Sequence, residues 1–358
     1  MLSLTLFFVW LAAASDTDVV ELQEKLEAVI SSSRQLSPAK QIERGVPRYP
    51  RSELRKGTQA WVNVAYCIDE SGSPQNVSVV DSIGSSKFER AAVDAVNKWR
   101  FEPARIDGEP SWQSRNQTII TFAIEQGNEG ARRSFIKEFR KIGNLIDHDK
   151  LDDADKRFKR VLDTYELSLY ELSKLWAQRV RYEGKRGDMH KLDMALHRAT
   201  ASKGEWIDKK SYVRLLKLRT QVEIGIGKYH GARRTFRELI EAAGEDSEEV
   251  VALQPTMDRL QAMIAGNEVL KISAEVRSRN ECHYCNDSWY FSPVRNDFTI
   301  NNIAGNLSSI EMRCDHKRFE SAVADLVEWH IPDDWGRCYV QVYGEPGTTF
   351  DVLMLPKI

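Results

Sequence analysis

Apolar residues change their spacing three times along the chain. Over residues 59–68 they alternate, with Val62, Val64, Tyr66 and Ile68 on one face and Trp61, Asn63, Ala65 and Cys67 on the other. That two-residue period predicts a strand. Turn residues fill 69–74, and 77–80 begins a second strand, so the pair reads as a hairpin. A helix is expected from Ser86, capped by its own hydroxyl while Glu89 reaches back. Phe88, Ala91, Ala92, Ala95, Val96 and Trp99 then recur at helical spacing, and Pro103 stops the helix. Alternation returns over 118–124 as a third strand. A three-stranded sheet with one helix on one face satisfies this pattern.

Beyond residue 130 the period becomes helical, with no proline between Pro110 and Pro255. Leu151-x-x-Ala154-x-x-x-Phe158, Met189-x-x-Leu192-x-x-x-Leu196 and Tyr229-x-x-Ala232-x-x-x-Phe236 share a template, starting 38 and then 40 residues apart. An amphipathic stretch precedes each, at 135–146, 169–182 and 212–226. From residue 268 short alternating runs return, at 270–276, 289–291, 298–303, 307–314, 338–343 and 350–355. The predicted fold class is therefore multidomain α+β: a small sheet with a packed helix, then α-helical hairpins, then a small disulfide-linked β-sandwich. The segments are 1–15 leader, 16–41 short helix and linker, 42–127, 128–267 and 268–358.

Composition narrows the partners. Fifty-one basic and 53 acidic residues leave a net charge of −2, which gives no overall pull toward nucleic acid or anionic lipid. The one strongly apolar run, 2–14, falls short of the roughly 20 residues of a membrane-spanning helix. Its apolar centre followed by Ala12-Ala13-Ala14-Ser15 reads as a cleavable export signal, although Met1-Leu2-Ser3 lacks a positive charge. The alternative is an uncleaved segment that keeps the protein at the inner membrane. Four of the five cysteines, Cys282, Cys285, Cys314 and Cys338, cluster near the carboxy end, as in an exported disulfide protein. Cys314 with Cys338 is the favoured bridge, because both fall in strand-like runs, and Cys282 with Cys285 is then a local one. A zinc site using these cysteines with His283, His316 and His330 would need a second close-spaced pair, which is lacking. No nucleophile elbow, phosphate loop or His-Glu-x-x-His run occurs, so no enzyme, cofactor or small-molecule substrate is expected.

Within the first segment, Tyr49-Pro50, residues 76–84, Phe88-Glu89-Arg90-Ala91-Ala92 and residues 98–104 together resemble the TonB C-terminal domain family. The resemblance covers about eighty residues, in order, and closes on the strand at 118–124. It implies a periplasmic module linked to outer-membrane, TonB-dependent transport, which binds an extended segment of a receptor or other envelope protein by adding a strand. Carried over, the partner-binding candidates are Val46, Tyr49, Pro50, Thr118, Ile120, Phe122 and Ile124. The chain departs from TonB-like energy transducers, which carry a proline-rich spacer and end with this domain. Here no such spacer is present, more than two hundred residues follow, and Val46 stands where the family often has glutamine. The helical middle resembles tetratricopeptide-type repeats, whose usual period is about 34. The expected function is a periplasmic adaptor. The alternatives are an envelope scaffold that binds through its helices while the first module dimerises, and a thiol or zinc protein using the cysteine-rich end.

Overall fold

The computed structural model describes residues 36–124, 130–278 and 287–356. The apolar leader, the short helix expected just after it, Cys282, His283 and Cys285 lie outside the described residues. The amino-terminal module runs β1 (Leu36–Ser37), β2 (Lys40–Glu43), α1 (Arg51–Lys56), β3 (Ala60–Ile68), β4 (Pro74–Ile83), α2 (Ser86–Val96), β5 (Arg100–Glu102), β6 (Ala104–Ile106), β7 (Glu109–Ser111) and β8 (Gln113–Phe122). Strands β4, β3 and β8 form the antiparallel sheet, with β3 central. The alternation of β3 decides both faces. Val62, Val64 and Ile68 meet Phe88, Val96 and Trp99 of α2 and the turn after it in one core. Trp61 points the other way and joins Ile83 and Ile119 against the helical segment. Gly72 marks a close crossing: at φ +79°, its carbonyl accepts from Phe101 N–H at 2.9 Å, and a Cβ there would meet the Phe101 carbonyl oxygen at 1.8 Å.

The helix expected at Ser86 forms, but both ends differ: it stops at Val96 rather than at Pro103, and Arg100–Glu102 pairs with Lys40–Glu43 as strand β5. Ser85 is the N-cap and makes no side-chain cap bond. Glu89 instead accepts from the Ser82 hydroxyl at 2.6 Å, because β4 runs directly into the helix and brings Ser82 within reach. A reciprocal capping box does exist at Ser168 and Glu171. The third strand also differs: it starts at Gln113 and stops at Phe122, two residues before Ile124.

The helical segment comprises α3 (Arg133–Asp147), α4 (Leu151–Thr164), α5 (Leu169–Arg186), α6 (Met189–Thr200), α7 (Lys209–Gly225), α8 (Tyr229–Ala243) and α9 (Glu248–Ala265). The template positions Ala154, Phe158, Leu192, Leu196, Ala232 and Phe236 are all buried. Strands β9 (Leu270–Glu275), β10 (Ser288–Phe291), β11 (Asp297–Ala304), β12 (Leu307–Cys314), β13 (Arg318–Ala322), β14 (Glu328–His330), β15 (Cys338–Gly344) and β16 (Thr349–Met354) make two four-stranded sheets, ordered β10-β15-β12-β13 and β14-β11-β16-β9. Cys314 and Cys338 face each other across β12 and β15 with Cα atoms 3.9 Å apart, and they form a disulfide. β13 and β14 were not anticipated, since each carries one large apolar residue and lies at a sheet edge.

Candidate protein-docking edge

β8 is built by alternation. Thr118, Ile120 and Phe122 oppose Val64, Val62 and Ala60, so all three face α2, and Ile120 and Phe122 are only 4% and 3% exposed. Their side chains are core. Gln117, Ile119 and Thr121 face the opposite way, toward the helical segment; Ile119 packs there while Gln117 and Thr121 stay exposed. Side chains on both faces are thus largely committed, and what β8 offers a visitor is its main chain and these two polar residues.

The strand lies at the sheet border, and among the described residues no strand pairs with it on the side away from β3. The start of that border is not bare. Ser114 N–H donates to the Asp315 carbonyl, in the turn between β12 and β13, at 3.3 Å. The carboxy-terminal sandwich therefore caps the first residues of β8 and leaves the stretch beyond them. At the other border, β4 is tied to α6 by Asp81, whose carboxylate receives Arg198 Nη2–H at 2.8 Å. Burial alone would raise the Asp81 pKa, but the hydrogen bond from His197 and the charge and hydrogen bond of Arg198 outweigh it, and the pKa is lowered.

The remaining candidates divide. Tyr49 turns inward: its ring meets Phe88 and Phe122 edge-on at 5.5 and 5.7 Å, and its hydroxyl donates to the Thr58 carbonyl. Burial, then the nearby Glu53 carboxylate, raises its pKa. Pro50 caps α1, its carbonyl accepting from Glu53 and Leu54 N–H at 2.9 Å. Val46 is the opposite case at 85% exposed. Ile124 is half-buried, past the end of the strand. Ser114 was missed because residues 113–117 are all polar and show no apolar alternation; Gln113 gave no better signal, although its Oε1 accepts from Ala39 N–H at 2.7 Å. At the far end, the disulfide uses Cys314 and Cys338, so neither thiol remains for a metal.

The family described as Gram-negative bacterial TonB protein C-terminal matches residues 45–124. A solution structure of the TonB C-terminal domain of Pseudomonas aeruginosa is 31% identical, covering 26% of this chain and 92% of that one, with a TM-score of 0.22. A structure of the TonB2 protein of Vibrio anguillarum is 30% identical, covering 26% and 87%, with a TM-score of 0.21. No curated protein matches the chain significantly. The module at 45–124 defines the class: a small sheet that serves protein interaction. Over these residues the chain belongs to the TonB C-terminal family. Such domains are envelope modules of TonB-type transport and interact with other proteins, outer-membrane receptors among them. Among the described residues, no helix is long and apolar enough to cross a membrane.

Proposed function

We propose that this chain is a periplasmic adaptor in which the border of β8 beyond Ser114 receives an extended segment of an outer-membrane receptor or another envelope protein as an added strand. The observation that carries this reading is the Ser114 to Asp315 bond, in which the outer side of β8 already holds a main-chain acceptor. An antiparallel or parallel visitor would repeat that contact along the border, with each hydrogen bond contributing a net of about 1 kcal/mol. The protein's role is binding rather than catalysis, and export through the apolar leader places it where such segments hang from receptors.

Two exposed positions supply the test. In a Cys67→Ser background, Gln117→Cys and Thr121→Cys are oxidised in the presence of receptor-derived peptides carrying one cysteine at successive positions. Disulfide trapping at alternate peptide positions is expected, with a fixed offset between the two variants. Trapping that ignores peptide position, or capture that depends only on substitutions in α3 to α8, would sink the reading and favour a helical scaffold.

A further inference from the structure

The layers of the amino-terminal module leave one face outermost. Its sheet has the helical segment on one side and α2 on the other, so α2 and the strip at 44–56 that crosses it form the outer layer. The strip is fixed at both ends of α2. Trp99 Nε1–H donates to the Gly45 carbonyl at 2.9 Å beyond the carboxy end. Lys87, at the amino end, reaches Ser52 Oγ at 2.8 Å and Glu53 Oε1 at 3.2 Å. The strip holds five basic residues and a single acid, Glu53, which is buried and neutralised by Lys87. Arg48, Arg51, Arg55 and Lys56 are exposed, and among the described residues Arg48, Arg51 and Arg55 make no ion pair. Val46 and Leu54, the latter 50% exposed, protrude from the same strip, while Tyr49 between them turns into the core. The whole chain carries a net charge of −2, so this is a local concentration of positive charge.

We propose that this outer face docks on an anionic lipid surface. Exposed cations are drawn to such a surface over about a Debye length, and aliphatic side chains standing among them enter the headgroup boundary. The two aliphatic side chains are separated by the inward-turned Tyr49 rather than joined in a groove. A protein partner would need a matching contour for each; a fluid lipid surface adapts to separate points. Docking by this face presents β8 sideways, with its border beside the membrane rather than against it. The inference rests on the module's layers and charge, independently of strand addition.

The test is co-sedimentation of the full chain with vesicles of phosphatidylglycerol and phosphatidylcholine in equal parts, against phosphatidylcholine alone. Binding to the anionic vesicles is expected to be stronger by about tenfold or more and to weaken with salt. The double variant Arg51→Glu with Arg55→Glu is expected to lose about tenfold or more, since each basic residue near an anionic surface is worth about fivefold. Leu54→Asp weakens binding as well. Lys209→Glu with Lys210→Glu, an equal charge change at the exposed start of α7, leaves it intact. Equal partition on both vesicle types, no partition, or identical behaviour of the two double variants overturns the proposal. So does loss of capture of a soluble acidic protein without any change on vesicles, because the face would then be a protein site. Peptide trapping at Gln117→Cys and Thr121→Cys is scored on the same Arg51/Arg55 protein, so failure of lipid docking and failure of strand addition are read separately.

Discussion

Asp81 joins two segments through one carboxylate. It sits on β4, on the face opposite α2, where Arg198 Nε lies 3.1 Å from Oδ1 and His197 Nδ1 lies 3.6 Å from Oδ2. The Arg198 guanidinium also covers the Trp176 ring at 4.6 Å, so the charge is held by an aromatic floor as well as by its partner. Replacing Asp81 with alanine strands a largely buried guanidinium, and a loss of about 3 kcal/mol is expected in denaturant melts. The same site should respond to acid. Burial, reinforced by Arg219, lowers the His197 pKa despite the pull of Asp81 in the other direction. The folded protein therefore holds fewer protons there than the unfolded chain. Stability from His197 is complete above its unfolded value of about 6.5 and is lost as pH falls below it. His197→Gln should flatten the stability profile just below that pH; an unchanged profile would show that the site does not titrate with folding. Asp351 works lower down. Hydrogen bonds from Asn302, Lys271 and Ser273 hold its pKa at about 2 against an ordinary 3.8. Its contribution is complete above 3.8 and lost as pH falls toward 2, so Asp351→Asn should blunt the acid unfolding of the sandwich, as followed by tryptophan fluorescence.

Whole elements depend on similar clamps. Arg295 donates to the carbonyls of Met263, Ile264 and Gly266 at the end of α9, and to those of Glu268 and Met354. A single planar fork thus closes the last turn of a helix and fixes the entry into the sandwich. Arg295→Lys keeps the charge but not the fork, and should cost about 3 kcal/mol in thermal or chemical melts. Nothing in the sequence marks Arg295 as special, because its partners are main-chain atoms of residues up to 59 positions away. Periodicity, by contrast, is local. The predicted stretches at 135–146, 169–182 and 212–226 fall within α3, α5 and α7 apart from one residue past the end of α7, and the six early strand predictions of the sandwich match β9, β10, β11, β12, β15 and β16 within two residues. What escaped carries too few apolar positions to show a period. β13 is an exposed ribbon at a sheet edge, β14 is a three-residue edge strand in which only Trp329 is buried, and the first half of β8 is polar throughout. The family resemblance that suggested the proposed border is carried in part by Tyr49, Phe88 and Trp99, which pack in or against the core; the cap at Ser114 depends on a chain segment about two hundred residues away.

At the scale of the molecule, the apolar cores do not follow the composition boundary near residue 268. One core unites Trp61 and Ile83 of the sheet with Phe135, Phe158, Trp176 and Leu196 of α3 to α6. Another unites Leu216, Phe236 and Leu253 of α7 to α9 with Ile272, Phe298 and Val340 of the sandwich. The helical segment is thus shared between the two, with α7 giving Val222 to the first and Leu216 to the second, while the amino-terminal module keeps a core of its own around Phe88 and Trp99. Two unfolding transitions are expected in calorimetry. Removing the Cys314–Cys338 bridge by paired serine substitutions should lower only the second, by about 3 kcal/mol for a loop closed over 24 residues. The division also bears on the first module when it is cut away. A fragment spanning 42–127 would expose Trp61, Ile83 and Ile119, a loss of about 5 kcal/mol of burial at the usual value per large side chain. That approaches the whole stability of a small domain. The fragment should therefore self-associate through this face in sedimentation velocity, whereas a fragment extended through α6 should stay monomeric. A monomeric and equally stable 42–127 fragment would mean that the helices merely rest on the sheet, and the two-core division would fail.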